Sequence, residues 1–280
     1  EKAVEMGYSS SDTQWANLGQ GAPDTGSLEG EDVSLTLDIN SENSEYAPVS
    51  GRYELRQKIA DYYNHYYGSN ITMENVMVFA GGRPGLLAVL MFLSNDVTVR
   101  VSSTEYTPYY DILEFLKKKY VLVDSSEKNS FKPSIDDFVG NKKNQRQLIF
   151  LSNPSNPTGI TKKGDTLKEL VERSAFNNSG LLIDEAYEII SNPPVSAMSY
   201  IKNINNSNLF VCGAATKGLQ APGIRVGWVV ASKNNIEILG NFSSFGIGGV
   251  SRLSQIYLEN LLERGRTDLA HSAIPKFYDR

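Results

Sequence analysis

Leu148-Ile149-Phe150-Leu151-Ser152-Asn153-Pro154-Ser155-Asn156-Pro157-Thr158-Gly159 reads as a buried β-strand that runs directly into an elaborate turn. Leu148–Leu151 is apolar on successive residues, the pattern of a strand covered on both faces. The two Asn-Pro steps that follow force extended-then-turn geometry and hold the asparagine side chains rigidly. Such a loop at a strand's C-terminal end lies where an α/β sheet binds its ligands, although a turn without function has the same local form.

The strand has company on both sides. Further β-rich runs lie at Val76–Phe79, Val97–Val101, Val121–Val123, Leu181–Ile183, Leu209–Cys212 and Val226–Val230. Helical stretches at Gly85–Leu93, Tyr109–Lys119 and Thr166–Ser174 fall between many of them. Alternation of this kind predicts an α/β fold, a mostly parallel seven-stranded sheet sandwiched by helices. Ahead of it, Tyr53–Tyr67 puts Leu55, Ile59, Tyr62, Tyr63 and Tyr66 on one helical face and stops at Gly68, a good C-terminal cap.

Residues 1–45 are polar and rich in Gly, Ser, Asp and Glu, and are expected to form an N-terminal arm or part of a small domain. Residues 46–280 are expected to form one large ligand-binding domain. Ser251–Leu262 reads as a helix, and Ala270–Arg280 runs towards another without a stop signal, so a further C-terminal segment completing a small domain is expected. The sequence has no internal repeat and no low-complexity tract.

Composition narrows the chemistry. At 40 % hydrophobic and 21 % charged residues, the chain is that of an ordinary globular protein. No stretch approaches the roughly 20 apolar residues of a membrane helix. A net charge of −5 without a basic stripe argues against a nucleic-acid partner. Lys117-Lys118-Lys119 and Lys142-Lys143 read as solvated helix ends or loops. The lone cysteine, Cys212, excludes an intrachain disulfide and fits a reducing, cytoplasmic setting. With His65 and His271 as the only histidines, no His/Cys metal site is expected. Lys, Asp, Tyr, Arg, backbone groups or an organic cofactor must therefore carry the chemistry.

The candidates each follow a predicted strand. Gly81-Gly82-Arg83-Pro84 opens a helix after Val76–Phe79, and glycines there let N–H groups turn towards a phosphate at the helix N-terminus. An ordinary tight turn reads the same way. Tyr106 follows Val97–Val101, where an aromatic ring can stack on a flat ligand or simply fill core. Asp184 ends Leu181–Ile183, and a carboxylate there needs a cationic or hydrogen-bonding partner. A protonated pyridine nitrogen is such a partner, and so are a helix N-terminus and a magnesium ion. Lys217 sits among small residues in Gly213-Ala214-Ala215-Thr216-Lys217-Gly218, where desolvation would make its amine a nucleophile. Arg225 follows eight residues later, and a guanidinium there can grip a phosphate as a bidentate fork. None decides the matter alone. Their order on successive strand ends does.

Together these residues resemble the class I/II aminotransferases of pyridoxal-phosphate (PLP) fold type I, over roughly Asn17 to Trp228 and beyond. The resemblance implies pyridoxal 5'-phosphate as cofactor and Lys217 as the Schiff-base lysine that moves the catalytic proton. It implies that Asp184 pairs with the pyridine nitrogen, that Asn156 and Tyr187 bond the phenolic oxygen, and that Tyr106 stacks on the ring. Gly82, Arg83 and Arg225 would form the phosphate cradle, the first two through backbone N–H groups. Tyr46, in Tyr46-Ala47-Pro48-Val49-Ser50-Gly51, is similar to the tyrosine that reaches the neighbouring subunit's phosphate, which implies a homodimer. Gly21, in Gly19-Gln20-Gly21-Ala22-Pro23-Asp24, resembles the glycine beside the substrate carboxylate, and Gly21 and Asn156 would face the substrate. Departures from the pattern are Ala214-Ala215-Thr216 where Ser-x-Ser is frequent before the lysine, and Ile224 where a tryptophan is frequent. The arginine that binds the substrate α-carboxylate would lie in the C-terminal segment.

The implied reaction is transamination between an amino acid and a 2-oxo acid. A lyase, cyclase or oxidase acting on an amino acid would use the same cofactor residues. A non-enzymatic sensor domain of a regulator is disfavoured, because residues 1–45 are acidic and carry no basic helix-turn-helix module.

Overall fold

A computed structural model describes residues 2–9, 12, 14, 15, 21, 23, 28, 30, 36, 37, 39–140 and 145–279 of the chain. Its framework is one seven-stranded sheet, and the alternating apolar runs of the sequence supply it. The strands are β1 (Val76–Phe79), β2 (Thr98–Ser102), β3 (Tyr120–Val123), β4 (Gln147–Ser152), β5 (Ser179–Asp184), β6 (Leu209–Ala214) and β7 (Gly227–Val230). They lie in the order β1-β7-β6-β5-β4-β2-β3. All neighbours pair in parallel except β7, which runs antiparallel to both β1 and β6.

Helices cover both faces. In chain order they are α1 (Lys2–Glu5), α2 (Tyr53–Tyr67), α3 (Gly82–Phe92), α4 (Pro108–Phe115), α5 (Ile135–Val139), α6 (Asp165–Ser174), α7 (Lys233–Gly246), α8 (Arg252–Leu261) and α9 (Arg264–Tyr278). Alternate strand residues point to opposite cores, as the two-residue period of a strand requires. Val76, Val78, Ile149, Leu151, Leu181 and Ile183 pack with α2, α6, α8 and α9. Met77, Phe79, Leu148, Phe150, Leu182 and Cys212 pack with α3, α4 and α7. Each fully buried aliphatic side chain stabilises the fold by about 1.5–3 kcal/mol relative to exposure. This two-sided burial is why the strands read as unbroken apolar runs.

Several boundaries differ from the sequence reading. Helix α4 stops at Phe115 rather than Lys119, because Lys117 turns left-handed (φ 52°) and Tyr120 already belongs to β3. On α2, Tyr67 is buried and Tyr66 only partly so, while Gly68 caps the helix in the left-handed region as expected. Of the expected Ala270–Arg280 element, residues 270–278 are the latter part of a longer helix that begins at Arg264, and Arg280 lies outside the described residues. Helices α5 and α7 had no counterpart in the sequence reading, although Ser232 caps α7 through the Asn235 N–H, and Ile236 and Leu239 are buried from it. The run Lys142-Lys143 and much of the expected arm between residues 10 and 38 lie outside the described residues. Among the described residues no helix is long and apolar enough to cross a membrane.

Candidate active site

The parallel strands β2, β4, β5 and β6 end along one rim of the sheet. β1 ends there too, and β7, being reversed, begins there. The register makes the rim continuous: Ser152 pairs with Asp184, Asp184 with Cys212, Ala214 with Gly227, and Gly227 with Phe79. Loops from distant parts of the sequence therefore face one another.

On the β2–β4–β5 side the side chains are tied by hydrogen bonds. The half-buried Asp184 accepts from the Tyr109 hydroxyl at 2.8 Å through one oxygen and from the Ala186 N–H at 3.0 Å through the other. Burial raises its pKa, and the two donors only partly oppose that. Both donors are neutral, so the carboxylate keeps an unmet preference for a cation. The Tyr187 hydroxyl accepts from the Asn156 side-chain amide at 3.4 Å. Burial raises the Tyr187 pKa, with the nearby Asp184 adding to the effect. Tyr106 is half-buried and meets Tyr109 edge to face, ring centroids 5.6 Å apart.

On the β1–β7 side, backbone shape does the work. Gly81 has φ 106°, open to glycine and strained for other residues, and a Cβ there would lie 2.6 Å from Nη2 of Arg225. A Cβ on Gly227 would lie 2.5 Å from backbone atoms of Gly81 and Gly82. Arg225 is itself left-handed (φ 53°) and exposed, and it donates through Nη1 to the Pro222 carbonyl at 2.9 Å. Gly82 and Arg83 are the first residues of α3, whose initial N–H groups have no partner within the helix. Ala214 presents only a methyl group, as its identity requires.

Lys217 stands between the two sides. Its ammonium donates to the Gly21 carbonyl and lies 5.6 Å from the centre of the Tyr187 ring. Burial lowers its pKa, which raises the share of neutral amine. The structure thus brings together Lys217, Gly21, Tyr187, Asn156 and Asp184, with Tyr106 beside them, and gathers Gly82, Arg83 and Arg225 at the adjoining strand ends. It does not bring Tyr46 to them. That residue is fully exposed, in a groove between Asn43–Val49 and Gly249–Leu253. Of the stretch around Gly21, Gly19, Gln20, Ala22 and Asp24 lie outside the described residues, as does Asn17.

Sequence reasoning missed three residues. Tyr109, which holds Asp184, was read only as the start of the helical stretch Tyr109–Lys119. Glu105 and Ser152, bonded to each other at 2.5 Å, carried no signal, because a strand-end serine and a loop glutamate look ordinary until the loops meet.

Comparison with known proteins places this geometry in context. Residues 13–271 match the family model described as aminotransferase class I and II. An aspartate aminotransferase of Pyrococcus horikoshii is 26 % identical over 86 % of this chain and 61 % of its own length. 1-Aminocyclopropane-1-carboxylate synthase 1 of Prunus mume is 30 % identical over 75 % of this chain and 45 % of its own. The solved structure of aspartate aminotransferase from Thermus thermophilus with maleate superposes with a TM-score of 0.74 at 20 % identity, covering 85 % of this chain and 62 % of that one. The chain therefore spans at most about three fifths of the curated relatives it matches.

Proposed function

This chain belongs to the class I and II aminotransferases, and from that premise we propose that it is a PLP-dependent enzyme moving an amino group between an amino acid and a 2-oxo acid. One observation carries the reading: a desolvated amine, Lys217, meets the Tyr187–Asn156 pair at a sheet rim that also presents a half-buried carboxylate.

The residues fit the cofactor. Among the described residues Asp184 has two neutral donors and no cationic partner, which a protonated ring nitrogen would supply. The Gly81 turn is a cradle that a Cβ would fill, with Arg225 against it and the α3 N-terminus opening from it. That is the donor set of a phosphate site. Bound there, PLP supplies the electron sink that allows an amino acid to lose its Cα proton.

The chain's own residues supply the rest. Asp184 would keep a proton on the ring nitrogen of a bound cofactor, and that cation would stabilise its carboxylate charge. Asn156 and Tyr187 would donate to its phenolic oxygen, and Tyr106 would lie beside its ring. Gly82, Arg83 and Arg225 would hold its phosphate. The Lys217 amine, whose charge burial disfavours, would be placed to carry the substrate Cα proton once the cofactor is bound. Gly21, within reach of the same amine, and Asn156 border the space for the substrate carboxylate.

The test is a single turnover. The chain loaded with PLP and given an amino acid alone should release one equivalent of 2-oxo acid and retain the amino group until an acceptor is added. Lys217→Ala should lose the visible absorbance of bound cofactor. An unchanged spectrum in that variant would sink the assignment. The likeness to the Prunus mume synthase favours a second reading, in which the same residues serve a ring closure or elimination. Continuous product release without any acceptor would select it.

Three further parts belong to this proposal. Residues 1–45 form an arm or part of a small domain, and 46–280 the large domain. The protein is a homodimer, with the fully exposed Tyr46 reaching its neighbour's phosphate site. It works in the cytoplasm, the setting that a single buried thiol favours.

A further inference from the structure

We propose that Glu105 is a positioning residue: acting through Ser152, it holds the Asn156 loop in register with its own chain neighbour Tyr106, so that the two loops form one unit. The consequence for the cofactor rests on the reading above, whereas the coupling of the loops does not.

Glu105 leaves the loop after β2 and is 7 % exposed, nearly as buried as the core. It receives the Ser152 hydroxyl proton at 2.5 Å, and the Ser152 N–H lies 3.3 Å from each of its oxygens. Because a hydroxyl has one proton, Ser152 Oγ turns its lone pairs elsewhere, and it accepts the Asn156 N–H at 3.0 Å. The direction of the relay is thereby fixed from carboxylate to asparagine backbone. The other end of Glu105 is fixed as well. Its N–H donates to the Tyr110 hydroxyl at 2.8 Å, which donates to the Ser102 carbonyl at 2.8 Å.

A buried carboxylate is a costly way to join two loops where an apolar contact would do. What it adds is direction. Charge-assisted bonds are short and strong, and they hold Ser152 in the one orientation that serves Asn156. The charged and titratable groups facing Glu105 are Lys162 beyond the Asn156 loop, Asp184 on β5, and Tyr109 and Tyr110 on α4. Burial outweighs the donors and Lys162, and pushes its pKa up to about 7. Protonation of Glu105 weakens the acceptor that orients Ser152, so the loop should loosen as pH falls through that value.

The experiment uses the whole 280-residue chain, with and without PLP. It reads the hydrogen-exchange protection factor of the Asn156 amide and the dissociation constant for PLP. Glu105→Ala and Ser152→Ala should each lower Asn156 protection and weaken PLP binding about tenfold, the scale of one hydrogen bond to a charged group. Glu105→Gln, whose uncharged carbonyl still accepts from Ser152, should lose less than Glu105→Ala, match the low-pH wild type at every pH and so abolish the fall in protection below about pH 7. The double variant Glu105→Ala/Ser152→Ala should be no worse than either single one. Should Glu105→Ala fail to fold, Glu105→Asp, one methylene too short for the contact, must behave like Ser152→Ala. Wild-type Asn156 protection in the Glu105 variants, or additive losses in the double variant, would overturn the proposal. If Asn156 protection falls as described in a chain that binds no PLP, the coupling stands and the cofactor reading fails.

Discussion

The two sides of the rim are held by opposite means. On the Asp184–Tyr187 side, each polar group has a named hydrogen-bonding partner: Tyr109 for Asp184, Asn156 for Tyr187, Ser152 for the Asn156 backbone. On the Gly81–Arg225 side, position comes from side chains that are absent. A methyl group on Gly227 would strike the Gly81 and Gly82 backbone, and Gly81 itself holds a φ of 106° that strains any other residue. The first kind of order can be weakened one bond at a time and rescued by a conservative change. The second fails all at once, because packed backbone has nowhere to move.

Variants can break or sharpen that contrast. Lys217 lies between the sides and depends on both for its target, so Lys217→Ala should have the largest effect. Turnover should fall by about 10²–10⁴, the usual contribution of a positioned acid–base group, with the urea midpoint unchanged. Next comes Gly227→Ala, whose Cβ would meet Gly81 and Gly82 backbone at 2.5 Å. Denaturation in urea should show a loss of about 3 kcal/mol, the upper range for overpacking. Gly223→Ala, with nothing within 4 Å, should stay within about 0.5 kcal/mol of wild type. Equal losses in the two glycine variants would erase the distinction drawn here. Tyr109→Phe removes one bond from the other side and should weaken PLP binding by only about fivefold, near 1 kcal/mol.

The smallest effect concerns the carboxyl groups behind the site. Burial raises Glu105 to about 7, and Glu185 and Glu188 to about 8, from an ordinary 4.5. The folded chain thus holds these protons more tightly than the unfolded one, and stability should fall as pH rises from 4.5 towards 8. Glu185, bonded to the Ser196 hydroxyl and the Ala197 N–H, allows a direct check. In Glu185→Gln the urea midpoint should drop less between about pH 6.5 and pH 8 than in wild type. An identical drop would mean that Glu185 does not titrate in that range.

What could be read from the sequence follows the same division. All seven strands were legible, six because burial on both faces leaves a run of apolar residues, and the edge strand β3 from its β-branched and aromatic residues although Val121 and Leu122 are exposed. The turns at Gly81 and Asn153–Gly159 were legible because glycine and proline carry backbone geometry in their identity. Glu105, Ser152 and Tyr109 were not, since their meaning arises only when β2, β4 and β5 lie side by side. The amphipathic α7 was overlooked although Ser232, Ile236 and Leu239 marked it. The reversal of β7 had no local sign at all. A strand's direction is set by the connections around it rather than by its residues.

That reversal bears on how the protein is made. β1 sits at the border of the sheet and pairs with β7 alone, Val76 opposite Val230. On the ribosome it emerges early and stays without a bonded neighbour until the last strand appears. Contacts so distant in sequence form late and slow the search for the native state. During that interval an apolar strand is open to the wrong partner. Gly81 and Arg225, one on each of these two strand ends, cannot meet before then, so a nascent chain cut short of Val230 would have six strands and no finished rim.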